Sequence, residues 1–480
     1  MLFNSRAFLV FFPIVAVLYF GLPQRHRGTL LLIASYYFYM CWKPAYIVLI
    51  AVSTVVDYYC ALKMGATTDK RLRKAYLVAS LVANLGLLFV FKYLNFFGWT
   101  VKTLLGFSEV AAARPVLDVL LPVGISFYTF QKLSYTVDVY RGDREPERRL
   151  GTFALYVSFF PQLVAGPIER STRLLPQFDR KVSFDPHRVT DGLRLMLWGM
   201  FKKVVIADMA ARLVDPVYGD VAAYQGPALT VATVLFAFQI YCDFSGYSDI
   251  AIGAAKVLGF DLMENFHRPY FSTSVREFWR RWHISLSTWF RDYLYIPLGG
   301  SRVSAWRHYF NLFTVFFLCG LWHGASWNFV VWGMLHGMYM VVGGATESWR
   351  GRLGRALGLD SIPGLHKVIR VAITFALTCF AWIFFRARTL GDAWYVIRHI
   401  PTGWSDISGI AILPTPLALV IVLAAIAIME TAHFMQRSGP VRERLAAGPV
   451  WVRWGAYYAA VIAILLLGSA EGQEFIYFQF

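Results

Sequence analysis

Three histidines sit where an apolar sequence has little use for them. "RRWHISLSTWFRDYLYIPLGG" (280–300) carries His283, and "CGLWHGASWNFVVWGMLHG" (319–337) carries His323 and His336. A soluble core tolerates a histidine as a hydrogen-bonded packing residue, whereas a membrane interior makes a titratable group costly enough to imply a task. The chemistry suited to a buried neutral imidazole is proton abstraction from a hydroxyl, or proton relay during group transfer. An acyl donor supplies the carbonyl that the resulting oxygen nucleophile attacks. No Gly-x-Ser-x-Gly elbow is present, so direct histidine-assisted transfer is simpler than a serine acyl-enzyme.

His323 and His336 lie thirteen residues apart. On one continuous helix over 310–343 they would be about 20 Å apart and on nearly opposite faces. That spacing predicts no shared metal ion, and the short ligand spacings of structural zinc motifs are absent. One histidine is expected to face a reaction chamber while the other packs against a neighbouring helix. The "PLGG" after His283 is a turn, and no Gly-Lys-Ser/Thr sequence follows to make it a phosphate loop.

Other polar residues interrupt apolar surroundings. "LFAFQIYCDFSGYSDIAIGAAKVLGF" (235–260) holds Gln239, Asp243 and Asp249, and carboxylates there need hydrogen bonds or a basic partner. Asp243 and Tyr247 share a helix face, and Gly246 permits close backbone approach. "LPVGISFYTFQKLSYTVDVYRGD" (121–143) and "YVSFFPQLVAGPIERSTRLLPQF" (156–178) combine Pro and Gly with Gln131, Ser134, Asp138, Gln162 and Glu169. Broken backbone in a membrane is tolerated only inside protein or along an aqueous cavity, so these two stretches predict a polar interior.

The elements that position these residues are apolar helices. The 480-residue chain is 57% hydrophobic and 16% charged, against roughly 25% charged in soluble domains. Apolar runs recur at 6–22, 29–62 (interrupted by Trp42-Lys43-Pro44), 76–91, 228–258, 310–343, 366–385, 415–429 and 455–468. Several approach the roughly 20 residues that cross a bilayer as helix. An all-α polytopic membrane protein follows, with roughly ten to twelve transmembrane helices by the positive-inside rule. The net charge of +17 is spread between the apolar runs, which suits anionic lipid and excludes a basic nucleic-acid-binding domain. The N-terminal run lacks a small-residue cleavage site and reads as a retained first span. Arg25-His26-Arg27, Lys70–Lys74, Arg141–Arg149 and Arg437–Arg453 are then cytoplasmic. The five cysteines are scattered, so neither a disulfide framework nor a cysteine metal site is indicated.

The chain divides by texture into N-terminal structural spans (1–95), a core carrying the chemistry (117–345) and C-terminal spans (366–470), all within one integral-membrane domain, 1–480. The segment "NFHRPYFSTSVREFWRRWHISLSTWFRDYLYIPLGGSR" (265–302) mixes arginines with Trp279, Trp282 and Trp289. That pattern suits interfacial amphipathic helices or the docking of an anionic ligand.

Taken together, "RPYFSTSVREFWRRWHISLSTWFRDYLYIPLGG", "GLWHGASWNFVVWGMLHG", "MLFNSRAFLVFF", "LPVGISFYTFQ" and "VAGPIER" resemble the membrane-bound O-acyltransferase family, over most of the chain. The form and length are most similar to its bacterial polysaccharide O-acetylation branch, which includes alginate acetylation, more than to its shorter D-alanyl branch. The resemblance implies a fold with helices, re-entrant and interfacial segments around a central funnel, with His323 near its base. It makes His323 of Trp322-His323-Gly324 the catalytic histidine and His283 the second active-site histidine, with His336 a weaker candidate. It implies acetyl-CoA as cytoplasmic acyl donor, no metal, an exported polysaccharide as acceptor, a separate extracytoplasmic acetyltransferase as partner, and a multi-pass place in the bacterial inner membrane. Arg280, Arg281 and Arg291 are the expected donor-phosphate contacts. The competing readings are D-alanyl or other acyl transfer to teichoic acid, peptidoglycan or lipid, and non-enzymatic transport of an acyl donor or lipid.

Overall fold

The computed structural model describes residues 1–107, 121–164, 166–405, 416–436, 439, 441–468 and 475–476. Residues 117–120 of the expected core, residue 165 of "VAGPIER", and 406–415, 437–438, 440 and 469–470 of the expected C-terminal section lie outside the described residues. Among the described residues every regular element is helical.

Local sequence sets the helix limits. The Ser5 hydroxyl accepts from the Phe8 N–H at 3.2 Å and opens Arg6–Gly21, which meets one of the orphan donors of a first turn. The apolar run 29–62 breaks where Trp42-Lys43-Pro44 stands, because Pro44 opens a 3₁₀ turn before Ile47–Ala66. The Asp69 carboxylate accepts from the Arg71 N–H at 2.8 Å and starts Lys70–Leu88. That helix passes through a π-helical turn, Phe89–Tyr93, into Leu94–Leu104.

Among the described residues six helices are long and apolar enough to cross a membrane: Pro44–Ala66, Lys70–Leu104, Gly226–Val257, Pro363–Arg386, Leu417–Met435 and Val450–Leu467. Trp327–Ala345 with Glu347–Ala356, bent by 61°, makes up to a seventh. The all-α polytopic expectation holds, while the span count among the described residues is lower than the ten to twelve expected. Arg6–Gly21 and Leu150–Leu163 are apolar but short, and the run 310–343 folds into two helices, Ala305–His323 and Trp327–Ala345.

The chain forms two compact units. The first comprises 1–196 and 248–263. Its interior is polar where Pro and Gly break the sequence. Gln131 donates from Nε2 to the Tyr156 carbonyl at 2.7 Å, Gln162 donates to Gln131 Oε1 at 2.8 Å, and Ser171 donates to Asp138 at 3.0 Å. Glu169 is fully buried and accepts from the Met263 N–H. Gly124 has φ +75°, and a Cβ there would lie 2.9 Å from the Leu163 carbonyl oxygen, so the turn before Ile125–Arg141 requires glycine.

The same unit holds a buried ion pair that sequence reading did not single out. Asp57, on Ile47–Ala66, and Lys132, on Ile125–Arg141, are both fully buried with 3.5 Å between Nζ and Oδ2. Ser80 and Asn84 of Lys70–Leu88 donate to the other Asp57 oxygen at 2.6 and 2.7 Å. One carboxylate therefore ties three helices together.

The second unit comprises 197–247 and 264–480. A π-helical turn, Phe201–Ala207, carries Lys203, whose ammonium lies 2.8 Å from Asp208 and 2.5 Å from Asp243. Asp243 thus has the basic partner that its burial demands, and it also accepts from the Ile476 N–H at 2.7 Å. A Cβ at Gly246 would meet the Gly199 carbonyl oxygen at 2.8 Å, so close backbone approach occurs there as expected.

Removing one partner of a buried pair strands the other charge, at a cost of about 3–5 kcal/mol. Asp57→Ala is expected to lower the unfolding temperature of the detergent-purified protein markedly. Asp57→Leu combined with Lys132→Met should recover most of the loss. A double variant as unstable as the single one would show that the hydrogen bonds to Ser80 and Asn84, not charge pairing, set the stability.

Candidate active site

The break between the two helices of 305–345 places His323. Ala305–His323 ends at that histidine, Gly324 is the C-cap in extended conformation, and the next helix starts after Ser326. A Cβ at Gly320 would come within 3.0 Å of the Gly333 Cα. The two helices cross at these glycines with backbones in contact, the use small residues have in helix packing. Asn328 fastens the start of the second helix by donating to the Ala387 carbonyl at 2.6 Å. Asn311 donates to the carbonyls of Leu298 and Gly300 at 3.1 and 3.3 Å, which ties the predicted "PLGG" turn to the first helix.

No continuous helix runs over 310–343. Gly324 ends one helix and Ser326 precedes the next, so His323 and His336 are not held about 20 Å apart on one rod. Both imidazoles instead touch the indole of Trp332, with ring centroids 4.8 Å away in each case. His336 is fully buried and its Nδ1 accepts from Trp279 Nε1 at 3.2 Å, which leaves its proton on Nε2. Its ring packs against the indoles of Trp279 and Trp332.

His323 is nearly buried, at 3% exposure, and is ringed by Trp322, Trp332 and Phe385 with centroids 5.0, 4.8 and 5.4 Å away. It stands at a helix C-terminus, where the backbone dipole favours positive charge.

His283 comes to the same place from a different segment. Its ring centroid lies 6.4 Å from that of His323, and it is fully buried against Phe244 (4.6 Å) and Trp322 (5.7 Å). The segment lies outside the long apolar helices, and burial pushes the His283 imidazole down to about 3, so it is neutral. His283 also has φ +43°, one of two non-glycine residues with positive φ among those described. Left-handed backbone costs a side-chain-bearing residue about 1–3 kcal/mol and persists only where its surroundings enforce it. Asn265 supplies that enforcement: its carbonyl accepts from the Ile284 N–H at 2.9 Å, and its Oδ1 accepts from the Ser285 hydroxyl at 2.9 Å.

The three arginines do not share one environment. Arg281 pairs with Glu277 at 2.6 Å, Arg291 pairs with Asp292 at 2.7 Å, and Arg280 is exposed. No group of three or more His, Cys, Asp or Glu side chains able to hold a metal occurs among the described residues. Sequence reasoning missed Asn265, Lys203 and Trp332. Gly324 followed by Ser326, a stop signal and then a capping residue, could have revealed the helix break. Nothing local signals the partners of His283 or Asp243.

Residues 148–352 match the model of MBOAT, the membrane-bound O-acyltransferase family. The probable alginate O-acetylase AlgI of Pseudomonas aeruginosa is 42% identical over 401 residues, 82% of this chain and 74% of that protein. The AlgI of Pseudomonas putida is 37% identical, with all of both chains covered. The peptidoglycan O-acetyltransferase of Helicobacter pylori is 35% identical, over 83% of this chain and 79% of its own.

The glycine crossing is testable. Gly320→Val should force the two helices apart and move His323, lowering turnover by about 100-fold, the scale on which small misplacements act. Assays of acyl transfer on folded, monodisperse protein check this, and wild-type turnover would show that the crossing does not set the site.

Proposed function

The chain belongs to the membrane-bound O-acyltransferase family, an O-acyl-transferring enzyme with multiple passes in the bacterial inner membrane, and from that membership we propose that it moves acetyl from cytoplasmic acetyl-CoA toward hydroxyls of an exported polysaccharide. The observation that carries the reading is the meeting of His283 and His323, both buried and 6.4 Å apart between ring centroids, in an aromatic enclosure. Residues 117–345 form the catalytic core in this reading, between N-terminal spans (1–95) and C-terminal spans (366–470). A separate extracytoplasmic transferase completes delivery to the polymer.

In the proposed reaction the acceptor hydroxyl gives its proton to His323 as its oxygen attacks the thioester carbonyl. The resulting tetrahedral oxyanion collapses, the C–S bond breaks, and the thiolate takes the proton from the His323 imidazolium to leave as free CoA. His283, neutral, donates to the oxyanion; such preorganised donors are among the largest contributors to acyl-transfer catalysis. His336 holds Trp332 against His323 without meeting substrate. Arg280, exposed beside this segment, meets the donor phosphates, and Arg281 and Arg291 join it by exchanging their carboxylate partners for phosphate.

The acetylation branch is supported by identity to the alginate O-acetylases over most of the chain. Peptidoglycan is the second acceptor to consider, on the strength of the Helicobacter pylori relative.

His323→Ala tests the role of the base. Purified with intact fold, the variant should bind acetyl-CoA as wild type does and lose transfer by about 10²- to 10⁴-fold, the range of general-base contributions. Transfer of labelled acetyl at the wild-type rate would reject His323 as the base. Loss of donor binding together with transfer would place it in the binding of acetyl-CoA instead.

A further inference from the structure

The left-handed backbone of His283 points to the residue that sets its aim. Asn265 lies eighteen positions before it, at the start of "NFHRPY", and is buried, as is Ser285. Three donors of the turn end on it. Its backbone carbonyl accepts from the Ile284 N–H at 2.9 Å; its side-chain Oδ1 accepts from the Ser285 N–H at 3.3 Å and the Ser285 hydroxyl at 2.9 Å. Two residues on, the His267 N–H donates to the Arg281 carbonyl at 2.9 Å. The segment 265–267 therefore runs beside 281–285 and grips it on both sides of His283.

We infer that Asn265 is the positioning residue for His283: it holds the left-handed turn and so fixes the direction of the imidazole toward His323. The inference rests on the acyl-transfer reading of the two histidines. The chemistry asks for an acceptor on a short, rigid stem. Without it, a buried N–H and hydroxyl of Ser285 would be left unmet, and the turn would relax toward an ordinary backbone conformation that swings the ring away. The Asn265 amide reaches both donors with one oxygen. An aspartate presents the same oxygen at the same distance; alanine presents none.

The experiment compares wild type, His283→Ala, Asn265→Ala and Asn265→Asp as full-length proteins in detergent, with acetyl-CoA, an acceptor glycan and its extracytoplasmic transferase, reading kcat and KM for the donor separately. Asn265→Ala is expected to lose about 10- to 100-fold in kcat while KM stays within about two-fold. Asn265→Asp should restore most of that loss. Wild-type kcat in Asn265→Ala would overturn the inference, as would an Asn265→Asp variant no better than the alanine. Equal damage to KM and kcat would also overturn it, as a general structural role. Full activity in His283→Ala would instead sink the catalytic reading of that histidine. If Asn265→Ala does not fold, Ser285→Ala reads the same contact: a several-fold loss in kcat at constant KM is expected, and wild-type kcat overturns the inference.

Discussion

An imidazole buried away from bulk water must be held by something other than water, and here rings surround it. Trp322, Trp332 and Phe385 surround His323, and Trp322 with Phe244 surrounds His283. Aromatic rings combine large apolar contact with few rotatable bonds, so an enclosure built of them is dry and stiff. Trp322 is shared by both histidines, and Trp332 is shared by His323 and His336. The positions of the three imidazoles are thereby linked through two indoles.

Charge is used elsewhere, in pairs that fix helices. Lys203 on its π-helical turn meets Asp208 and Asp243, and Lys132 meets Asp57. Each solves the same problem: an ion removed from water is tolerable only with a partner close by and its remaining bonding capacity largely met. The glycine crossing of 320 and 333 meets a different need. Neighbouring backbones that touch leave no room for a side chain to shift the end of the helix, and His323 is at that end.

Much of the architecture was legible because it depends on local sequence. Apolar runs, Pro44 as a breaker, and the Pro-Gly interruptions near 124 and 161–167 all act through the chain next to them. The two histidines were legible as residue types out of place. Their meeting was not, since forty positions separate His283 from His323 and only tertiary packing joins them. The helix break at 324–326 was hidden by the strong apolar character on both sides, although Gly324 and Ser326 carried the signal. Asn265, Lys203 and Asp57 were invisible for one common reason: each is defined by a partner on another segment. Among the described residues fewer helices are long and apolar enough to cross a membrane than the ten to twelve expected, since Arg6–Gly21 and Leu150–Leu163 are apolar but short.

In the proposed reaction acetyl crosses the bilayer through this chain. The measurement that tests it most directly is sided transfer: labelled acetyl-CoA sealed on one face of proteoliposomes of uniform orientation, with the acceptor glycan and its extracytoplasmic transferase confined to the other. Label is expected on the glycan only when donor lies on the face of the Arg141–Arg149 loop, and none in vesicles lacking the protein. Label that moves only when donor and acceptor share one face would contradict it.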